Sequence, residues 1–322
     1  MICYDAFKNL NIVYQNNQQS FSTCCLSPAN TADTINFHQD SFLNEVRTTW
    51  LTGNFPSLCN ACKSTEESGW SSRRINVNNW YKSQNLTNID VELAKIDYWT
   101  GDTCNLRCVI CGPQNSSSWK QELNLPIKKL SVNRFWKTLD TSSLRLIHFN
   151  GGEPLLSKEH ITFLHTIPHK SQVELDYNTN GTILPSAELL DLWSKFKLVQ
   201  LDFSIDDIGE RFEYQRFPAI WNQVTDNLQW YIDNSPVNCM FNVNTSVGIL
   251  NQANLDNLNL WLVSNFNENR LGDKIEHRQQ PVMGIFSSGY KNKQKALDFL
   301  DKCDKRRGTN WRTVFPELAN PT

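Results

Sequence analysis

The chain has 322 residues and a formal net charge of −2, enough length for one large domain with a smaller companion and an ample core. That near-neutral balance gives no electrostatic footprint for nucleic acid or an anionic membrane surface, and no run approaches the roughly eighteen apolar residues of a membrane span. The start, Met1-Ile2-Cys3-Tyr4-Asp5, has no signal-peptide pattern, and seven of the ten cysteines cluster at 24/25, 59/62 and 104/108/111, which points to metal ligation in a reducing, cytoplasmic setting rather than to disulfides.

Residues 1–90 show no strand–helix alternation. Asn11 to Tyr14 and Ser20 to Thr23 flank the polar run Gln15 to Gln19, which predicts a small hairpin. Cys24-Cys25 leaves that hairpin. Ser41 is the expected cap of a helix through Leu43, Val46, Trp50 and Leu51, which share one apolar face, with Gly53 and Pro56 as its stop. Cys59-Asn60-Ala61-Cys62 follows. Together Cys3, the Cys24/Cys25 pair, Cys59 and Cys62 offer four thiolates, the complement of a closed iron–sulfur cluster or of a structural zinc ion. Adjacent side chains diverge, so one of Cys24 and Cys25 is expected to ligate.

From Lys95 the chain alternates. Strands are expected at 94–99, 144–149, 173–177, 198–203, 237–245 and 275–286. Helices are expected near 160–166, at 188–196, at 221–232 and at 255–266. Repeated βα units predict an α/β fold with a parallel sheet curling into a partial (βα)6 barrel, open on one side. The domain boundaries expected are 1–90 for a cysteine module, 91–286 for the barrel and 287–322 for a helical extension covering one barrel edge. Arg306 and Arg307 in that tail could instead grip an anionic substrate.

The first loop after a barrel strand carries Cys104-Asn105-Leu106-Arg107-Cys108-Val109-Ile110-Cys111, a C-x3-C-x2-C spacing. Three soft thiolates on a strand-end loop can grip three irons of a four-iron cube and leave the fourth open. Zinc knuckles usually bring paired C-x2-C elements and a fourth nearby ligand, and none follows here. The other strand ends carry Gly151-Gly152-Glu153-Pro154, Asn178-Thr179-Asn180-Gly181, Ser204-Ile205-Asp206, and Asn244. The C-terminal ends of strands form the active rim of such folds. His148, inside the second strand, is read as a lining or core residue, and Cys239 and Cys303 as buried thiols.

With Cys104-Asn-Leu-Arg-Cys108 matching C-N-L-x-C, and with the double-glycine and S-x-D elements behind it, the chain resembles the radical S-adenosylmethionine (SAM) enzymes. The resemblance implies that Cys104, Cys108 and Cys111 hold a catalytic 4Fe–4S cluster. Gly151, Gly152 and Glu153 would hold the SAM amine. Asn178, Asn180, Ser204, Asp206 and Asn244 would face the SAM sugar or the substrate, and Arg216 the SAM carboxylate. Ile110 stands where the family commonly has an aromatic residue, and would wall the adenine pocket. The cysteines of residues 1–90 resemble the auxiliary-cluster module called SPASM, or its shortened twitch form, placed before the barrel rather than after it. The activity implied is reductive cleavage of SAM to a 5′-deoxyadenosyl radical that abstracts hydrogen from a peptide or protein. A carbohydrate, a nucleotide or another small molecule is the alternative substrate, and a non-catalytic zinc-stabilised binding protein the alternative class. An electron donor such as flavodoxin or ferredoxin is the implied partner.

Overall fold

The computed structural model describes residues 2–15, 18–31, 35–127, 135–266, 275–282, 284–287 and 293–319. The tip of the expected hairpin, residues 16 and 17, and Asn292 lie outside them. The N-terminal part holds helix α1 (Asp5–Lys8), strands β1 (Asn9–Gln15), β2 (Gln18–Ser22) and β3 (Asn30–Thr31), and helices α2 (Ser41–Leu51), α3 (Asn60–Glu67) and α4 (Arg73–Ser83). The alternating part runs β4 (Lys95–Trp99), α5 (Ser117–Glu122), β5 (Leu146–Asn150), α6 (Lys158–Thr166), β6 (Glu174–Thr179), α7 (Ala187–Trp193) and β7 (Leu198–Ser204). It continues with α8 (Gly209–Gln215), α9 (Trp221–Asn234), β8 (Cys239–Val247), α10 (Leu255–Asn265) and β9 (Glu276–Pro281). Helices α11 (Lys293–Arg307), α12 (Trp311–Val314) and α13 (Pro316–Ala319) close the chain.

The nine strands among the described residues form one sheet in the order β3-β2-β1-β4-β5-β6-β7-β8-β9. Strands β4 to β9 pair in parallel in sequence order, the six-unit unclosed barrel expected. The expected hairpin is present as β1 and β2, antiparallel, with Ile12 opposite Phe21. Its placement differs from the expectation of a separate module. Strand β1 pairs in parallel with β4, Asn9 beside Lys95 and Val13 beside Trp99, so residues 9–22 extend the barrel sheet itself. The cap of α2 is also displaced by one residue: the Asp40 carboxylate accepts from Leu43 N at 3.0 Å, and Ser41 is the first helical residue. The last barrel strand ends at Pro281 rather than at Phe286.

Alternation along each strand sorts the two faces of the sheet. Ile96, Tyr98, Ile147, Phe149, Leu175, Tyr177, Val199, Leu201 and Phe203 are at most 2% exposed and meet Phe163, Leu164, Leu192, Trp193, Val224 and Leu228 of the helices. The intervening residues, Asp97, His148, Asn150, Asp176, Asn178, Gln200, Asp202, Asn242 and Asn244, are polar and point to the other face. Closed (βα)8 barrels fill that space with branched apolar side chains. Here it is a wall of hydrogen-bonding groups.

Helix α11 docks through charge as well as through Ala296, Leu300 and Cys303. The Glu122 carboxylate accepts from Arg306 Nε at 2.8 Å and Arg307 Nε at 3.0 Å, and Arg307 also donates to Arg107 O at 2.8 Å. The two arginines therefore tie the tail to the cysteine loop rather than reaching for an anion. Among the described residues, no helix is long and apolar enough to cross a membrane.

Candidate functional site

The cysteine loop is pinned from three sides. Ser117 Oγ accepts from Cys104 N at 3.1 Å, Ser118 Oγ donates to Cys104 O at 2.8 Å, and Trp119 Nε1 donates to Cys108 O at 2.9 Å. The end of α8 and the segment after it accept Val109 N on Gln215 O and Arg107 N on Phe217 O, both at 2.8 Å. The double-glycine loop donates Gly152 N to Gly101 O and Glu153 N to Thr103 O, again at 2.8 Å.

Those last contacts explain the glycines. A Cβ at Gly152 would stand 2.3 Å from Thr103 O, and one at Gly151 2.7 Å from Gly101 O, with Gly151 at φ +130°. The pair is needed for the close approach of two backbone segments, which then present Gly151 and Gly152 to one cavity.

That cavity has an empty volume of about 890 Å³. Cys104, Cys108, Cys111 and Ile110 line it, with Gly151, Gly152, Asn178, Asn180, Ser204 and Arg216. Ten of the sequence-predicted residues thus meet around one space. Three do not reach it. Glu153, 1% exposed, spends its carboxylate on Thr179 Oγ1 at 2.9 Å, Asn180 N at 2.8 Å and Leu155 N at 3.2 Å, clamping the third strand end to the second. Asp206, also 1% exposed, faces Arg216 Nη2 at 2.8 Å and Ser246 N at 2.8 Å, so it holds the arginine rather than a ribose. Asn244 donates to Asn178 Oδ1 at 3.2 Å and Asp202 Oδ2 at 3.0 Å, within the polar wall. Thr179, part of the Asn178–Gly181 run singled out in the sequence, lines it too, whereas sequence reasoning missed Asn150, Gln114 and Asn115. Asn150 could have been found, since it ends its strand as Asn178 nearly does.

Burial dominates the acid–base chemistry. It pushes the Cys104 thiol up to about 11, Cys108 to about 12, and Cys111 upward as well, while the neighbouring Arg216 charge works the other way at Cys108 and Cys111. Protonated thiols are therefore the resting state without a metal, and ligation would release the protons. Burial pushes the Glu153 carboxyl up to about 7 against its three hydrogen bonds.

A second thiol pocket, with an empty volume of about 420 Å³, is lined by Cys3, Cys24, Cys59 and Cys62 together with Asp5, Arg73 and Arg74. Cys25 does not line it. Burial pushes Cys59 up to about 12 and raises Cys3 and Cys24, with neighbouring thiols adding to each shift at Cys3 and Cys59. Among the described residues, no three His, Cys, Asp or Glu side chains converge on a point where a single ion would sit. Both thiol groups surround a space instead.

The polar wall joins the two pockets. Arg73 Nη2 lies 3.6 Å from Asp5 Oδ2 and 3.1 Å from Asp97 Oδ2. His148 Nδ1 is 3.3 Å from Asp97 Oδ1, and Asn178 Nδ2 is 2.9 Å from His148 Nε2 and 2.5 Å from Asn150 Oδ1. Burial opposes the Asp97 charge, but Lys95, His148 and Arg73 hold its carboxyl well below the usual range. Burial likewise disfavours a charged His148, and Asp176 and Asp97 outweigh it, raising the imidazole pKa.

Residues 100–254 match the sequence model of the Radical SAM superfamily. The chain is 29% identical over 137 residues to a GTP 3′,8-cyclase of Desulforamulus reducens, covering 40% of each. It is 27% identical over 169 residues to a GTP 3′,8-cyclase of Vibrio cholerae, covering 49% of this chain and 46% of that one. It thus spans less than half the length of these curated relatives. Among solved structures, SuiB of Streptococcus suis bound to S-adenosylmethionine aligns with 97% of this chain and 73% of its own, at 12% identity and a TM-score of 0.42. The enzyme anSMEcpe with bound AdoMet aligns with 67% of this chain and 62% of its own, at 14% identity and a TM-score of 0.44. The superfamily is one of enzymes that use a 4Fe–4S cluster and SAM. Every residue lining the cavity falls inside the matched segment, so the cavity belongs to the stretch, residues 100–254, that is similar to the Radical SAM superfamily.

Proposed function

We propose that the chain cleaves SAM reductively and uses the 5′-deoxyadenosyl radical to abstract hydrogen from a peptide or protein substrate. The observation that supports this best is the convergence of the three motif thiols with Gly151, Gly152, Asn180, Ser204 and Arg216 on one cavity. When bound, a 4Fe–4S cluster supplies the electron that cleaves SAM, and the cofactor carries the hard chemistry. The chain's own residues bind and orient. Cys104, Cys108 and Cys111 would be the three residues that hold the cluster, beside the space that SAM would occupy. Arg216, set by Asp206, faces the SAM carboxylate, while Ser204, Asn178 and Asn180 face its sugar. Glu153 holds the strand ends at which those groups sit.

Residues 1–90 supply, in this reading, an auxiliary cluster of twitch or SPASM type on Cys3, Cys24, Cys59 and Cys62. Arg73 and Arg74 beside that pocket suit the negative charge of a four-thiolate cluster. A nucleotide substrate is the second reading, favoured by the GTP 3′,8-cyclases among the relatives.

Anaerobic reconstitution tests the proposal. The wild-type chain should turn brown and hold about seven to eight irons, and should form 5′-deoxyadenosine with dithionite. Alanine at Cys104, Cys108 or Cys111 should abolish that product. Cys24→Ala should lower the iron content by about half, and Cys25→Ala should leave it unchanged. A colourless chain carrying only zinc would replace the proposal with a structural metal protein.

A further inference from the structure

The polar wall adjoins the cavity through Asn150 and Asn178, and its acidic side chains differ in their partners. We propose that Asp176 receives a positively charged group of the substrate, an ammonium or guanidinium such as a lysine or arginine side chain carries. The proposal rests on the radical SAM reading above and names the substrate class for that site.

Each basic side chain on the wall is already held. Lys95 Nζ is 3.1 Å from Asp97, Arg73 lies between Asp97 and Asp5, and Arg278 Nη1 is 2.9 Å from Asp202. Asp176 differs. Gln200 Nε2 donates to it at 3.2 Å, its basic neighbour is the His148 imidazole at 3.9 Å, whose pKa it raises, and no lysine or arginine pairs with it in the described structure. Its side chain and that of His148 are each 23% exposed, so the pair opens to solvent instead of being sealed into the core.

Position supports the assignment. Asp176 stands beside His148 on one strand and Gln200 on the other. It precedes Asn178, a cavity-lining residue, by one pleat repeat, about 6.6 Å along the strand. A group held by Asp176 would leave the adjoining part of its molecule at the cavity. Burial first, then the Asp176 charge, push the Asp202 carboxyl upward in spite of Arg278. A carboxylate in such a partly desolvated place binds a cation by a charge-assisted hydrogen bond and repels a phosphate. The wall thus favours a cationic peptide and disfavours a polyanion such as a nucleoside triphosphate.

The test uses the reconstituted chain with SAM and two probes, acetyl-Gly-Lys-Gly-amide and the same peptide with norleucine for lysine, compared by calorimetry. The lysine peptide should bind about tenfold or more tightly than its neutral isostere, the advantage of a charge-assisted contact, and the ratio should fall toward one in Asp176→Asn. GTP should not displace it. Equal binding of both peptides to the wild type, no binding of either, a ratio unchanged in Asp176→Asn, or displacement by GTP would each overturn the assignment. The peptide comparison and the GTP arm need no variant, so a misfolded mutant cannot decide the result. Formation of 5′-deoxyadenosine by the wild type without peptide, measured on the same preparation, reports on the radical SAM reading separately.

Discussion

His160 illustrates how a single buried group sets a pH dependence away from the candidate site. It is fully buried between Phe149 and Tyr177, with ring centroids 5.3 and 5.7 Å away. Its Nδ1 donates to Ser157 O, and its Nε2 has no partner. Burial lowers its pKa from 6.5 to about 4. The folded state therefore binds this proton less readily than the unfolded chain does. The stability it contributes is full above about pH 6.5 and is lost as pH falls toward 4, at most about 3 kcal/mol. Replacing it with phenylalanine should cost about 1 kcal/mol at pH 7.5 through the lost hydrogen bond, yet should flatten the decline between pH 6.5 and 4.5. Urea midpoints measured across that range check this, and an unchanged acid slope would rule out His160 as its source.

At the scale of elements, the Glu122 contact of α5 governs the tail. The carboxylate side chain is only 7% exposed and faces Arg107, Arg306 and Arg307. Removing one partner of a buried ion group strands the others, at a cost of about 3 kcal/mol. Glu122→Ala should therefore release α11 and the cysteine loop together, seen as faster amide exchange in both. Exchange confined to one of the two would refute their coupling. Elements are also where the sequence was most readable. The alternation in 146–150 and 174–179 announced strands, and C-x3-C-x2-C announced a ligand loop, because both signals are local. Cys24 and Cys25 could not be told apart, since the choice depends on helices α3 and α4, tens of residues away. The polar wall stood in plain view as Asp97, His148, Asp176 and Asp202. Only His148 reads from the sequence as a lining or core residue, because parallel strands are usually buried on both faces and the aspartates' shared face shows only once the strands pair.

The whole molecule turns on β1. Its parallel pairing with β4 is invisible in the sequence, where about 80 residues separate the two strands. One continuous sheet, with its core shared across that seam, should unfold as one cooperative unit. Thermal transitions followed by far-UV circular dichroism and by tryptophan fluorescence should coincide, whereas two resolved transitions would mean that residues 1–90 fold independently of the barrel. The same pairing fixes where the two thiol pockets stand. Cys3 comes before β1 and Cys24 follows the antiparallel β2, so that pocket lies at the end where the parallel strands begin. Cys104 follows β4, at the end where they finish. Five residues of β4 at about 3.3 Å each place roughly 17 Å of strand between them. The sheet thus acts as a ruler. A molecule touching both pockets at once would have to be as long as five extended residues, and small ones would meet them only in turn.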